Sequence, residues 1–210
     1  MNNKKKLIAL VAAGIITAGA IVGGTMAYFS DTQTANNVIT MGNVNMDLTE
    51  EEFDKITNNT KEITNVMPGN KFTKDPKITM GADSEDAYVR AHIAISAKKD
   101  NTDFALTATQ ISELFTGINI DKTVWYVDAT DAAAGNYVVY YNKALTKNNV
   151  VNVFTEVKIP TSWGNELANV SLKVDVTVDA VQVANFESNL TKENGFITSW
   201  GTGFKAEASK

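Results

Sequence analysis

The stretch from Val170 to Val178 constrains the fold more than any other. Val170, Leu172, Val174, Val176 and Val178 alternate with Ser171, Lys173, Asp175 and Thr177. A helix, at 3.6 residues per turn, would scatter these apolar side chains around its axis, whereas a strand places all of them on one face. After Ala180 the apolar phase switches to Val181 and Val183. That switch requires either a bulge near Asp179–Ala180 or a strand end buried on both faces. Ala87–Ser96 repeats the alternation. Ala87, Val89, Ala91, Ile93 and Ile95 form a core face, and Tyr88, Arg90, His92, Ala94 and Ser96 form a half-wet one.

Shorter segments extend the pattern. Val44, Met46 and Leu48 alternate with Asn45 and Asp47. Val124–Val127 and Tyr137–Tyr141 are aromatic-rich strands, and the loop between them runs through Asp128, Asp131 and Gly135. Val150–Ile159 reads as one strand stopped by Pro160, and Pro68-Gly69 marks a turn. Helix signals are few. Thr49 and Glu52 have capping-box spacing ahead of Phe53 and Ile56, and Ile111, Leu114 and Phe115 place a helix over Thr109–Ile118. In the tail from Asn189 to Lys210, the spacing of Phe196, Trp200 and Phe204 predicts a packed helix or a turn-rich cap with frayed last residues. Six or more short strands with little helix predict a mainly all-β fold. The expected form is an antiparallel β-sandwich of jelly-roll or Ig-like type with one or two short helices.

The N-terminus follows different rules. Lys4, Lys5 and Lys6 precede a run from Leu7 to Phe29 that carries no charge. Thr25 and Ala27 sit at the −3 and −1 sites of a secretory signal cut before Tyr28. The competing reading is an uncleaved membrane anchor, since the run is long enough to span. Gly14, Gly19, Gly23 and Gly24 weaken a spanning helix, and the Thr-Met-Ala end favours cleavage. On this reading the chain touches a membrane only before cleavage. Removing 27 residues and their three lysines from 210 residues at −5 leaves 183 residues at −8. The expected division is a signal peptide over 1–27, a mature N-terminal segment over 28–48 and a β-sandwich domain over 49–210. The product is expected outside the cell, in an extracellular matrix or on the cell surface.

Composition removes several function classes. No cysteine is present, which excludes disulfides and Cys-ligated zinc or iron–sulfur sites. A sequence pI near 5.0 argues against a basic nucleic-acid-binding face. His92 is the only histidine, so no H-E-x-x-H zinc motif exists, and no G-x-S-x-G elbow or phosphate loop occurs. Arg90 and His92 read as decoration on the outer face of a sheet. No catalytic, cofactor or metal residues are assigned. Asp83-Ser84-Glu85-Asp86, after Gly81, has oxygen donors for weak calcium binding, weighed against a solvated turn.

The new N-terminus carries the most information. Tyr28, Phe29, Ser30, Asp31, Thr32 and the stretch through Val38 and Ile39 hold one charged side chain, Asp31, and favour an extended backbone. Such a segment can remain a tail, form a first strand of its own subunit, or add to a sheet edge of a neighbour. The last contact is head-to-tail and builds a filament.

Several of these stretches together resemble the TasA/camelysin (CalY) family of secreted bacterial proteins. The likeness rests on Val22-Gly23-Gly24-Thr25-Met26-Ala27-Tyr28-Phe29-Ser30-Asp31, on Met41-Gly42-Asn43-Val44-Asn45-Met46-Asp47-Leu48, on Met67-Pro68-Gly69-Asn70-Lys71-Phe72-Thr73-Lys74, and on Val170–Phe186 as a final strand. The resemblance implies a jelly-roll fold, a signal peptide cut by a dedicated ER-type signal peptidase (SipW), and extracellular fibres of a biofilm matrix. It also implies donor-strand complementation, with the segment beginning at Tyr28 as donor and another copy, or a related matrix subunit, as acceptor. The alternatives are a camelysin-like metallopeptidase, a monomeric surface or adhesion module, and an accessory fibre subunit. The metallopeptidase activity is not carried over, because no zinc-ligand set is recognisable.

Overall fold

A computed structural model of the chain describes residues 43–57, 67–201 and 207–208. Residues 1–27, read above as a signal peptide, and Tyr28–Ile39 lie outside the described residues. The described part is mainly β, with several antiparallel sheets and two short α-helices.

Its backbone is a pair of thirteen-residue strands. β4 (Ala87–Lys99) and β10 (Val170–Gln182) pair antiparallel along their whole length, from Val170 opposite Lys99 to Gln182 opposite Ala87. The register runs without a break through Asp179 and Ala180. The phase switch is therefore a strand end buried on both faces, with Ala180 and Val181 each covered. β7 (Asn136–Tyr141) pairs with the other side of β4, and β6 (Trp125–Asp128) completes the expected hairpin. β13 (Glu207–Ala208) pairs with β10 at Asp179 and Ala180 only. The sheet order is β13-β10-β4-β7-β6, with the short β5 (Thr102–Asp103) folded back on β4.

The core face of this sheet packs against smaller elements. β1 (Met46–Thr49), β3 (Lys77–Met80) and β8 (Val150–Asn152) form one sheet, and β2 (Lys71–Thr73) and β9 (Glu156–Lys158) form a ribbon. Met46, Ile78 and Met80 from the first, Val157 from the second, and Ile111 and Leu114 from a helix share one apolar cluster with Val89, Ile93, Val174 and Val178. β1 begins at Met46, so the folded body includes residues grouped above with the N-terminal segment.

Several local expectations need correction. Val150–Ile159 is two strands in different sheets. Val153 and Phe154 turn into the core between them, and the amides of Thr155 and Glu156 both donate to Asn119 Oδ1 at 2.8 Å. Thr49 does not cap a helix, because it lies in β1. α1 (Glu51–Thr57) is capped instead by Asp75, whose carboxylate accepts from the amides of Phe53 at 3.2 Å and Glu52 at 3.5 Å. α2 (Ala108–Thr116) has a reciprocal capping box from Thr107 and Gln110. The described part of the tail is not a helix but packs over one end of the sheet. Leu190–Glu193 (β11) and Phe196–Trp200 (β12) form a hairpin. Asn194 and Gly195 both take positive φ at its tip, as a two-residue hairpin turn requires. Phe204 lies outside the described residues. Pro68-Gly69 turns as expected, with Gly69 at φ +81° and Asn70 N–H donating to Met67 O at 3.1 Å.

One ion pair is fully buried. Lys74 Nζ donates to Glu50 Oε1 at 2.6 Å with side-chain exposures of 2% and 7%, and the ammonium lies 4.0 Å from the Phe53 ring centroid. Breaking a buried ion pair by removing one partner costs more than replacing both by apolar residues of similar volume. Glu50→Ala is expected to cost about 3–5 kcal/mol in urea denaturation. The double variant Glu50→Leu/Lys74→Met is expected to lose less than that single variant.

Candidate functional site

Three features combine chemical groups or unsatisfied backbone on the described surface. The first follows from the alternation of β4 and β10. Their even and odd sets are in phase, so Arg90 lies opposite Asp179 on the face away from the main core. Arg90 Nε and Nη2 donate to Asp179 Oδ2 at 3.1 and 2.9 Å, and His92 Nε2 lies 2.9 Å from the same oxygen. Trp200 of β12 covers the guanidinium, 4.5 Å from its ring centroid. Tyr88, Tyr140, Val181, Phe186, Ile197 and Trp200 form a second apolar cluster around it. Arg90 and His92 are thus not outer-face decoration but the polar floor under the C-terminal hairpin. Burial alone would raise the Asp179 pKa. Hydrogen bonds from His92 and Arg90, with their charges, outweigh it and hold the carboxyl below the usual carboxylate value.

This cluster does not fit a catalytic metal. Zinc needs three protein ligands with free lone pairs. Here Asp179 Oδ2 is already held by Arg90, whose charge opposes a dication, and His92 Nε2 is directed at that oxygen. The chain has no second histidine and no cysteine. Among the described residues, no group of three or more His, Cys, Asp or Glu side chains is placed to hold a metal ion.

The second feature is a polar clamp where the described chain begins. Asn43 Nδ2 donates to Asp83 O at 3.0 Å, and Asn45 Nδ2 donates to Asp83 Oδ1 at 3.1 Å. The buried Ser84 accepts from Asn45 N–H at 3.1 Å and donates to Glu85 O at 3.0 Å. Hydrogen bonds from Asn45, its own backbone amide and Asn43 lower the Asp83 pKa. In the loop read for calcium, Asp83 is therefore engaged by amide donors that anchor the chain as it enters β1.

The third is an open sheet margin. β10 is bonded to β4 on one side, but on the other only Asp179 and Ala180 are paired, by β13. Among the described residues, nothing pairs with Val170–Val178 on that side. β1 approaches β10. An apolar groove of about 210 Å³ opens beside the start of the strand, lined by Pro68, Ile159, Trp163, Leu167, Val170 and Leu172. Trp163 is held there by its indole N–H, which donates to Glu113 Oε2 at 3.0 Å.

The family model described as camelysin metallo-endopeptidase matches residues 2–197. This chain belongs to the camelysin family. No curated protein and no solved structure matches it. The match begins within the basic start of the chain and ends in β12, so it takes in the N-terminal residues as well as most of the β-rich body. The residues named for cleavage and strand donation, Ala27, Tyr28, Phe29, Ser30, Asp31, Thr32, Val38 and Ile39, lie outside the described residues. Among those described, no helix is long and apolar enough to cross a membrane. Sequence reasoning missed Asp179 as the partner of Arg90 and His92. The in-phase alternation of the two long strands was the available signal, but their pairing was not visible in one sequence.

Asp179 gives a pH prediction. Its folded pKa is depressed, so its stabilisation is complete above the unfolded carboxylate value and is lost as pH falls through the folded one. Asp179→Asn is expected to lower stability at pH 7 by about 1.5–3 kcal/mol. In denaturant titrations the gap to the unsubstituted protein is expected to narrow below about pH 4.

Proposed function

We propose that this camelysin-family chain is exported, cut between Ala27 and Tyr28 by an ER-type signal peptidase, and assembled outside the cell into fibres of a biofilm matrix. In each fibre the released segment Tyr28–Ile39 of one subunit adds as a strand to the next. The observation that carries this reading is the family match over residues 2–197, which spans the N-terminal residues and most of the β-rich body. The leader, the polar β-prone segment and the body travel together as one pattern, which is what processing-triggered strand addition requires. The margin of β10 that no described residue pairs supports it, because an acceptor must have backbone groups to offer. The chemistry of the segment supports it too: twelve residues with no proline can all enter a ladder.

A second reading is favoured by the family description itself, which is of a metallo-endopeptidase. The donor set around His92 does not fit a catalytic metal, so no hydrolytic step is derived through one.

The deciding experiment compares three purified forms: the full precursor, the mature chain starting at Tyr28, and a chain lacking Tyr28–Ile39. Negative-stain electron microscopy is expected to show filaments for the mature chain alone. Equal filament yield from the shortened chain would end the strand-donation reading. Chelator-sensitive cleavage of casein that disappears in His92→Ala would establish the enzymatic alternative.

A further inference from the structure

We infer that Lys74 and Glu50 are a modification site, at which the buried pair condenses, with loss of one water, to an amide between Lys74 Nζ and Glu50 Cδ. This inference is independent of the strand-addition reading and concerns the interior of a single subunit.

The fold brings the two groups together and holds them there. Glu50 follows β1 directly and Lys74 follows β2 directly, and these strands belong to different sheets. Both backbones are fixed at this point. Lys74 N–H donates to Thr155 O at 3.2 Å, and Glu50 O accepts from Asp54 N–H at 2.8 Å. Asp75, next to Lys74, ties the two stretches together again through the Phe53 amide. With Nζ 2.6 Å from Oε1, its distance to Cδ is about 3–3.5 Å, the separation of a near-attack pair. Both side chains are buried, and Phe53, itself buried, packs its ring against Nζ. Bulk water therefore competes neither for the amine nor for the acid.

An ammonium is no nucleophile and a carboxylate is a poor electrophile, so the pair must first become neutral. The hydrogen bond supplies the route: a proton passes from Nζ to the carboxylate and leaves an amine beside a carboxylic acid. A surrounding poor in water tolerates that neutral pair better than two ions. The amine lone pair then adds to Cδ and forms the C–N bond. The bond from Cδ to the protonated oxygen breaks, and the departing hydroxyl takes a second Nζ proton and leaves as water. The step needs no oxidant, reductant or cofactor. Asp54, one helical turn after Glu50, supplies a base for the last transfer. Its Oδ1 is buried and has no hydrogen-bond partner among the described residues. The product carries no charge, which removes two ions from a place where ions are costly. It also joins the end of β1 to the end of β2 covalently, in a chain without cysteine.

Mass spectrometry tests this on the purified, folded chain. The intact mass is expected to fall short of the sequence mass by one water. Trypsin is expected to leave the bond after Lys74 uncut, because an acylated lysine is not recognised. It should release Phe72–Lys77 joined to the peptide that ends at Lys55. Lys74→Arg keeps a cation that does not lose its proton, and Glu50→Leu/Lys74→Met removes both groups. Each is expected to retain the full mass. Asp54→Asn is expected to lower the crosslinked fraction about tenfold or more. An unchanged fraction would remove Asp54 from the step. Full mass in the unsubstituted folded chain, with Phe72–Lys77 free of any partner peptide, would overturn the inference. So would a water loss that maps to other residues or persists in Lys74→Arg.

Discussion

The antiparallel register between β4 and β10 is the constraint on which the remaining architecture depends. On the core face, Leu172, Val174, Val176, Val178 and Ala180 lie opposite Ala97, Ile95, Ile93, Ala91 and Val89. A slip of one residue would turn Lys173, Asp175 and Asp179 into the core and expose the valines. The opposite face holds the same register by different means. Asp179 sits across from Arg90, and both lie under Trp200. Apolar burial sets the parity of the pairing. The ion pair and the indole set which residue of that parity faces which.

This second lock explains why the C-terminal hairpin packs where it does. On the face of β4 away from the core Tyr88 is the one large apolar side chain, and β7 and β10 add Tyr140 and Val181 beside it. Phe186, Ile197 and Trp200 cover that end and leave the other, at Ser96, Lys98, Ser171 and Lys173, to solvent. Tyr140 shows the result, as burial raises its phenol pKa despite the neighbouring guanidinium. β10 is therefore asymmetric. Ala180 and Val181 near its end are covered and β13 pairs Asp179 and Ala180, while among the described residues nothing pairs the outer margin of its first nine.

The long strands and their faces were legible because nine or more alternating residues cannot be mistaken for a helix. Shorter segments were ambiguous for identifiable reasons. Phe196 and Trp200 are four apart, a spacing that keeps two side chains on one face of a helix and of a strand alike. The Asn194-Gly195 pair between them was the decisive hairpin signal. Thr49 and Glu52 have capping-box spacing, but Glu50 turns inward to Lys74, and the helix amides go to Asp75, far away in sequence. Val150–Ile159 satisfies strand composition throughout, yet Asn119 interrupts it from outside. The polar cluster was half legible. Arg90 and His92 share a face by simple alternation, but their partner Asp179 belongs to a strand nearly ninety residues on.

A bare strand margin is a hazard for any soluble β-protein, since it invites pairing with whatever extended chain it meets. Here the hazard is moderated in two ways. Lys173 and Asp175, 2.9 Å apart, place charge on the outward face of the vacancy, where a purely apolar strand would leave them poorly solvated. On the proposed reading the cleaved chain would carry −8, so two bodies would repel weakly at a distance, and association would depend on a contact strong enough to outweigh that. On the proposed reading, a nearly uncharged, polar, proline-free segment would satisfy both conditions, because it would tolerate the charged pair and could supply a full backbone ladder. On the proposed reading, that segment becomes a free end only when the leader is removed. On that reading the leader caps the segment until the cut is made, and the step that separates the chain from its leader also permits the pairing.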